Sequence, residues 1–407
     1  MPQKIVIIGN GISAITAIKS IREVDQGSAI YLFGEETFYP YNRVRLSKGL
    51  LSTLIEDKIL LKKKEWYDDN NINLYLDSRI LSIDTDGKVV KLSDNSLISY
   101  TKLLIATGSH NVEPKILGIG KQGVYTLKTL QNAWDIMDKL TENSSALIIG
   151  GGIQGLETSW VLSQMNKEVT ISHHSQRLMR KLLDEKSSKI LENAIIRNGI
   201  KILFNTEISE VIGQDKVEGF KTVNGESYLC ETIMYSIGTR PNVDFLENSP
   251  INIDRGIIVN ERMETNVKDI FAAGDVVEYN DEIPGLWNVA IGQGKVAGYN
   301  MCGKDIVYDY ITPVTTLNAF GLSLFSMGIV EEDKSTNIIL EDRSSENIYN
   351  KVFINNDKII GAIVVGSIKS SPALKSAIEK NISLESIDYL NMSFEDFIQA
   401  LKEVLKN

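Results

Sequence analysis

Two short glycine-rich turns constrain this 407-residue chain more than any other feature. The first, Gly9-Asn10-Gly11-Ile12-Ser13-Ala14, follows the strand-like Lys4-Ile5-Val6-Ile7-Ile8, and the second, Gly150-Gly151-Gly152-Ile153-Gln154-Gly155, follows Ala146-Leu147-Ile148-Ile149. In each, the first glycine permits a tight strand-to-helix turn, the second lets the backbone approach a pyrophosphate, and the third small residue lets helix pack on strand. The phosphates then rest on a helix N-terminus, whose free N–H groups and dipole favour anions. An ordinary β-turn accounts for one such match. Two of them, each in strand–turn–helix context, imply two dinucleotide sites on one chain.

A chain of this length holds two or three domains, each with its own core. A hydrophobic content of 43% and a charged content of 24% are ordinary for soluble proteins. No run approaches the ~18 apolar residues of a membrane span, and Gly9 and Gly11 break the apolar start, so a cytoplasmic protein without a membrane partner is expected. Cys230 and Cys302 read as buried, inert thiols rather than a disulfide framework. His110, His173 and His174 lack zinc spacing, and no metal is expected. A net charge of −10 argues against nucleic acid. The charge is uneven, however. Between Phe38 and Lys64 the basic Arg43, Arg45, Lys48, Lys58, Lys62, Lys63 and Lys64 face only Glu56 and Asp57. That stretch is either a solvated surface or a docking patch for an acidic protein, because local potential steers encounters over about a Debye length.

Apolar runs ending in glycine or a turn recur at Lys4–Gly9, Ala29–Gly34, Leu103–Gly108 and Ile270–Gly274, and a second set at Ala146–Gly150, Glu168–Ser172, Ile200–Phe204 and Thr232–Gly238. Strands alternating with helices imply parallel sheets with crossover helices. The Ile270–Gly274 run reads as the first sheet resumed after the second, which makes the second domain an insertion. The expected fold is therefore α/β, with a first dinucleotide domain at residues 1–108 and 240–308 and a second at 109–239. Residues 309–407 change pattern to short strands such as Lys351–Ile354 and Ile359–Val365 followed by helices, a small α+β domain. Its tail places Phe394, Phe397, Ile398, Leu401, Val404 and Leu405 at helical spacing, as a core-facing stripe.

An acidic residue at the end of the second strand of a dinucleotide site holds the adenosine ribose. The first site has glycine where the acid often stands, then Glu35 and Glu36; Glu35 is the expected contact and Glu36 the alternative. In the second site His173 takes the acidic position, followed by His174 and Arg177. Without an acid to repel it, the 2′-phosphate of NADPH is tolerated, or the histidines simply pack near adenine. NADH and NADPH both stay open on these residues.

The motifs Gly9–Ala14, Leu103-Leu104-Ile105-Ala106-Thr107-Gly108, Gly150–Gly155 with Leu156-Glu157, Ile237-Gly238-Thr239-Arg240-Pro241-Asn242 and Ile270-Phe271-Ala272-Ala273-Gly274-Asp275 occur in that order. With them the chain resembles the FAD-dependent pyridine nucleotide–disulfide oxidoreductase superfamily over residues 1–305. The resemblance implies two nested Rossmann-like domains, FAD in the first site and NAD(P)H in the second. It implies that Asp275 contacts the flavin ribityl chain, that Thr107 and Gly108 lie at the domain crossing, and that Ile80 meets adenine through its backbone. Ala106, Gly238, Gly274 and Val289 are the remaining cofactor-binding positions it suggests. Tyr41-Asn42-Arg43-Val44-Arg45-Leu46-Ser47-Lys48 is similar to a segment of ferredoxin-type and rubredoxin-type reductases, in which the arginine touches FAD and the lysine lies near the isoalloxazine ring. Lys48 is then the leading chemical residue, stabilising negative charge as the ring accepts a hydride, and Glu157 pairs with it by the family pattern.

Disulfide reductases of this superfamily need a Cys-x4-Cys pair and a C-terminal histidine base, and its peroxidases and oxidases use a cysteine in the segment occupied here by Tyr41–Lys48. This chain has none of these. Electrons reaching the flavin therefore leave directly to an external acceptor, one at a time. With its Lys48 segment, Trp287-Asn288-Val289-Ala290, Gln293-Gly294 and a short third domain, the chain most resembles the NADH:rubredoxin reductases of anaerobic bacteria. That resemblance implies NADH as donor and rubredoxin, an acidic protein, as partner for the basic stretch. Ferredoxin or oxygen as acceptor, and a flavin-based redox sensor, are the competing expectations.

Overall fold

The computed structural model describes residues 3–50, 54–140 and 145–406. They group into two compact units. One comprises Met1–Val112, Lys128–Gln131 and Gly238–Ile311; the other comprises Glu113–Leu127, Asn132–Ile237 and Thr312–Asn407.

The first unit is built on a five-stranded sheet in the order Ile270–Ala272, Lys102–Ile105, Lys4–Ile8, Ala29–Phe33, Ile72–Tyr75. Every neighbouring pair is parallel. Parallel strands are covered on both faces, so they must be apolar throughout, and the central strand Lys4–Ile8 has four of its five residues buried. Its register aligns Ile8 with both Phe33 and Ile105, so three strands end level. The helices Ile12–Val24 and Trp287–Met301 lie against each other through Gly294 and Gly298, whose missing side chains let the backbones of Ser13 and Ala17 approach.

The second unit carries its own parallel sheet, in the order Lys201–Phe204, Glu168–His173, Ser145–Ile149, Thr232–Tyr235, Val124–Tyr125. The helices Ile153–Gln164 and Glu185–Arg197 belong to it. The unit also contains an antiparallel sheet of Val314–Ala319, Leu322–Gly328, Lys358–Val365, Ile348–Asn355 and Asn337–Arg343, in that order. The C-terminal helix Phe394–Val404 buries Phe394, Phe397, Ile398 and Leu401 in the core cluster beside this sheet, and Val404 and Leu405 pack at its edge. Here the structure departs from the sequence pattern in one respect. The strand expected to begin at Lys351 starts at Ile348 and spans eight residues. Tyr349, Asn350 and Lys351 interrupt the apolar run, yet all three are buried, and Lys351 meets carboxylates that come from elsewhere in the fold.

Among the described residues no helix is long and apolar enough to cross a membrane.

Candidate functional site

Each glycine turn stands where a parallel strand hands over to a helix. In the first unit, the Gly9 amide donates to Phe33 O at 2.8 Å and the Ala106 amide to Ile8 O at 2.7 Å, which draws three strand ends together. Gly9 has φ +96°, and a Cβ there would collide with the carbonyl oxygen of Ala106, so only glycine serves. The buried Asn10 donates to Phe38 O at 3.4 Å, and its carboxamide fills the space where a side chain at Gly34 would begin. That packing explains the glycine where an acid often stands. Gly11 caps the Ile12–Val24 helix without a side-chain hydrogen bond and with open space at its Cβ position. The first turn, containing Ile12, Ser13 and Ala14, carries no acidic residue. Free helical N–H groups beside open space suit a phosphate.

Around this turn the two acids separate in role. Glu35 is exposed, with Arg79 Nε 3.6 Å away. Glu36 is turned inward: Tyr41 Oη donates to it at 2.7 Å and Arg43 pairs with it. Arg43 also donates to Tyr41 Oη at 2.8 Å and to Lys128 O at 3.1 Å, and its guanidinium lies 4.8 Å from the Tyr41 ring centroid. Burial, more than any neighbour, pushes the Tyr41 phenol well above its ordinary value. Arg43, counted from sequence both in the basic stretch and as an FAD contact, is held here by partners within its own unit. Lys48 is exposed at the end of the short helix Arg45–Gly49. Of the basic stretch, residues 51–53 lie outside the described residues, Lys62 Nζ sits 5.1 Å from the Trp66 ring centroid and Lys64 Nζ 5.1 Å from that of Tyr39.

Thr107 and Asn242 clasp each other: Thr107 Oγ1 donates to Asn242 O at 2.9 Å and Asn242 Nδ2 to Thr107 O at 2.8 Å. The Gly108 carbonyl accepts from the Asn242 amide, and that of Gly238 accepts from Val112, beside the antiparallel pairing of Thr239–Pro241 with Ser109–Asn111. The Gly274 amide donates to Gln293 Oε1 at 2.9 Å. Next to it, Asp275 accepts from Ser109 Oγ at 3.0 Å and lies 3.8 Å from Lys128 Nζ, which itself donates to Ser109 at 2.8 Å. Burial lowers the pKa of Lys128; Asp275 opposes the shift and Arg43 adds to it. Val289 is buried near the start of the Trp287–Met301 helix, and Ile80 is buried at the start of the strand Ile80–Asp84. Sequence reading missed Lys128 and Ser109. Neither lies in a glycine motif, and Lys128 joins this network only because residues Lys128–Gln131 fold back into the first unit.

In the second unit the pattern repeats. Gly150, at φ +116°, donates to Ser172 O at 3.0 Å, and a Cβ there would strike Ser236 O. Gly152 caps the Ile153–Gln164 helix with no side-chain bond and open space at its Cβ position, and Gly155 lies against Gly150 O. Gln154 accepts from Ser236 Oγ at 3.1 Å and donates to Leu127 O. Glu157 is half-buried, four residues beyond Ile153 on the same helix. His173 and Arg177 are engaged inward rather than held out for a phosphate. His173 is buried beneath Gly151, with Nε2 3.1 Å from Arg177 O, and burial lowers its pKa. Arg177 spends its guanidinium on the carbonyls of Leu183 at 2.9 Å and Arg180 at 3.2 Å.

Comparison with known proteins identifies the family. Residues 3–294 match the family described as pyridine nucleotide-disulphide oxidoreductase, and residues 313–382 match the rubredoxin NAD+ reductase C-terminal domain. The chain is 32% identical over 388 residues to the NADH-rubredoxin oxidoreductase of Clostridium acetobutylicum, covering 95% of this chain and 97% of that one. It is 30% identical over 380 residues to the assimilatory nitrate reductase electron transfer subunit of Bacillus subtilis, covering 93% of this chain and 49% of that one, so it spans about half of that protein's length. The crystal structure of NADH:rubredoxin oxidoreductase from Clostridium acetobutylicum aligns with a TM-score of 0.79 at 30% identity, over 98% of this chain and 100% of that one.

Proposed function

The chain belongs to the pyridine nucleotide-disulphide oxidoreductase family, and we propose that it is an NADH-dependent flavoprotein that passes electrons to rubredoxin. The observation that carries this reading is the pair of uncapped helix N-termini at Gly11 and Gly152, each opening onto free space after a parallel strand. Two phosphate cradles of that kind fit FAD and a nicotinamide nucleotide. FAD bound in the first would supply an acceptor for the hydride of NADH and a donor able to release electrons singly.

The residues divide the remaining work. In this reading Glu35 takes the adenosine ribose, while Glu36 holds Arg43 toward the cofactor. Ile80 meets adenine through its backbone. Asp275, with Ser109 and Lys128, provides hydrogen-bonding groups for the ribityl hydroxyls, and the Thr107–Asn242 clasp keeps the chain crossings in register. Lys48 and Glu157 are the two charged side chains assigned to the chemistry, Lys48 by stabilising negative charge as hydride arrives. The second site is assigned to NADH: His173 and Arg177 are both occupied within the protein, so no cation there is committed to a 2′-phosphate.

The thiols support direct transfer to a partner. Burial pushes Cys230 up to about 12 and Cys302 up to about 11, so neither is a thiolate at neutral pH. The match of residues 313–382 to a rubredoxin reductase domain and the lysine-rich stretch near Lys62 favour a small acidic electron-transfer protein as acceptor.

Anaerobic mixing with NADH, followed by addition of rubredoxin, ferredoxin or oxygen, tests this. Rapid bleaching of the flavin and re-oxidation fastest by rubredoxin are expected. Slow bleaching with no turnover refutes the reductase reading, and faster re-oxidation by ferredoxin or oxygen refutes the choice of partner.

A further inference from the structure

The loop 174–184 that follows the Glu168–His173 strand begins beside the second glycine turn, where His173 lies under Gly151. Its own domain ties it through Arg177 and through Ser188 Oγ, which donates to Leu178 O at 2.8 Å. The C-terminal sheet also ties it. Ser326 Oγ donates to Leu182 O, and both Tyr349 Oη, at 2.5 Å, and Lys351 Nζ, at 2.9 Å, reach Asp184 Oδ2. Oδ1 of the same carboxylate accepts from the Ser187 amide at 2.9 Å and from Ser187 Oγ at 2.6 Å, capping the Glu185–Arg197 helix. Asp184 is thus saturated, half by its own helix and half by the C-terminal sheet.

This arrangement is expensive to build. The Lys351 side chain is only 5% exposed, in the middle of a strand, and is also paired with Glu332. Burying an ammonium is unfavourable unless it is well paired, and a whole buried ion pair can often be replaced by packed apolar side chains without loss of stability. Tyr349 and Lys351, two residues apart, project from one face of the strand onto one oxygen. Burial pushes the Asp184 carboxyl up, but the hydrogen bonds from Ser187, Tyr349 and Lys351 together outweigh it and hold the group below the usual carboxylate range. The carboxylate stays charged at neutral pH.

We propose that Tyr349 and Lys351 are positioning residues for the nucleotide site: through Asp184 the C-terminal domain holds the loop that follows His173 and carries Arg177 at the adenosine end. This rests on the second glycine turn being the NADH site. The C-terminal domain is then part of the donor site as well as a candidate surface for an acceptor.

The test uses the full-length flavoprotein and the variants Tyr349→Phe, Lys351→Met and Lys351→Arg. Tyr349→Phe removes one hydroxyl and leaves the sheet intact, so it keeps the test open should Lys351→Met fail to fold. Calorimetric binding of ADP-ribose, which lacks nicotinamide, reads the adenosine end without any turnover. Dissociation constants for ADP-ribose and half-saturating NADH in flavin reduction should both rise roughly three- to tenfold in Tyr349→Phe and further in Lys351→Met, from loss of hydrogen bonds to a charged group. The limiting rate of flavin reduction should hold, and Lys351→Arg should restore most of the affinity. Lowered melting temperature with unchanged ADP-ribose affinity means a purely structural clasp and overturns the proposal. A wild-type flavin that NADH fails to reduce refutes instead the function on which it rests.

Discussion

Gly294→Ala and Gly292→Ala form a matched pair that asks whether close approach of two helices holds the first glycine turn in place. Both glycines lie in the Trp287–Met301 helix, so each substitution gains the same helix propensity, about 1 kcal/mol. Their surroundings differ. A Cβ at Gly294 would run into Ser13 O and come within 2.9 Å of both Ser13 C and Ser13 Cα, the backbone of the turn itself. A Cβ at Gly292 would meet Ile311 Cδ1 at 2.6 Å, the free end of a flexible side chain, and Tyr308 Cε2 at 3.1 Å, with no backbone atom among its nearest neighbours. Backbone overpacking costs about 1–3 kcal/mol, whereas turning one side chain costs about 0.5–1.5 kcal/mol. The propensity term cancels between the variants. What remains is a deficit of about 0.5–1.5 kcal/mol for Gly294→Ala, or roughly 1–6 °C at 2–4 °C per kcal/mol. Thermal release of flavin, followed by its fluorescence, measures the difference, and Gly294→Ala should also lose FAD first on dilution. Equal release temperatures for the two variants would refute the reasoning.

Three further outcomes are expected. Lys48→Ala should slow flavin reduction by NADH while FAD stays bound, and a normal transient rate would remove Lys48 from the chemistry. Changing Lys62, Lys63 and Lys64 together to Gln should slow partner reduction at low salt far more than at high salt; an unchanged salt profile would leave that stretch an ordinary solvated surface. His173 is depressed by burial, so its folded value lies below the ordinary histidine value of about 6.5, and its contribution is complete above that pH and lost as pH falls from there through the folded value. Thermal stability should accordingly fall below about pH 6.5 in the wild type. The same profile should be flatter in His173→Gln, and identical profiles would exclude His173.

The parts of this protein legible in its sequence are those that depend on near neighbours. A run such as Lys4–Ile8 is apolar because both faces of a parallel strand are covered, and Gly9 and Gly150 follow their strands because the backbone must turn at positive φ. Short-range rules of this kind leave marks in consecutive residues, and the two cradles, their order and the α+β tail are all written that way.

Side-chain roles were less legible, because each depends on what folds next to it. Glu35 is favoured over Glu36 in the sequence only by its place after the glycine; the fold separates them because Tyr41 and Arg43 capture Glu36. Arg43 reads both as part of a basic stretch and, by resemblance, as an FAD contact, and only the fold brings Glu36 and Lys128 O around it. His173 and Arg177 suggest an opening for a phosphate, and the loop that turns them inward is set by carbonyl partners with no sequence signature. Lys351 reads as the polar first residue of a strand, and only the carboxylate of Asp184, 167 positions away, makes it a buried partner. The sequence by itself determined two glycine turns on two parallel sheets, since backbone conformation and apolar periodicity are local. Tertiary structure decided which charges are spent inside the protein and which remain for a ligand, since a buried charge persists only where distant parts of the chain bring its partner.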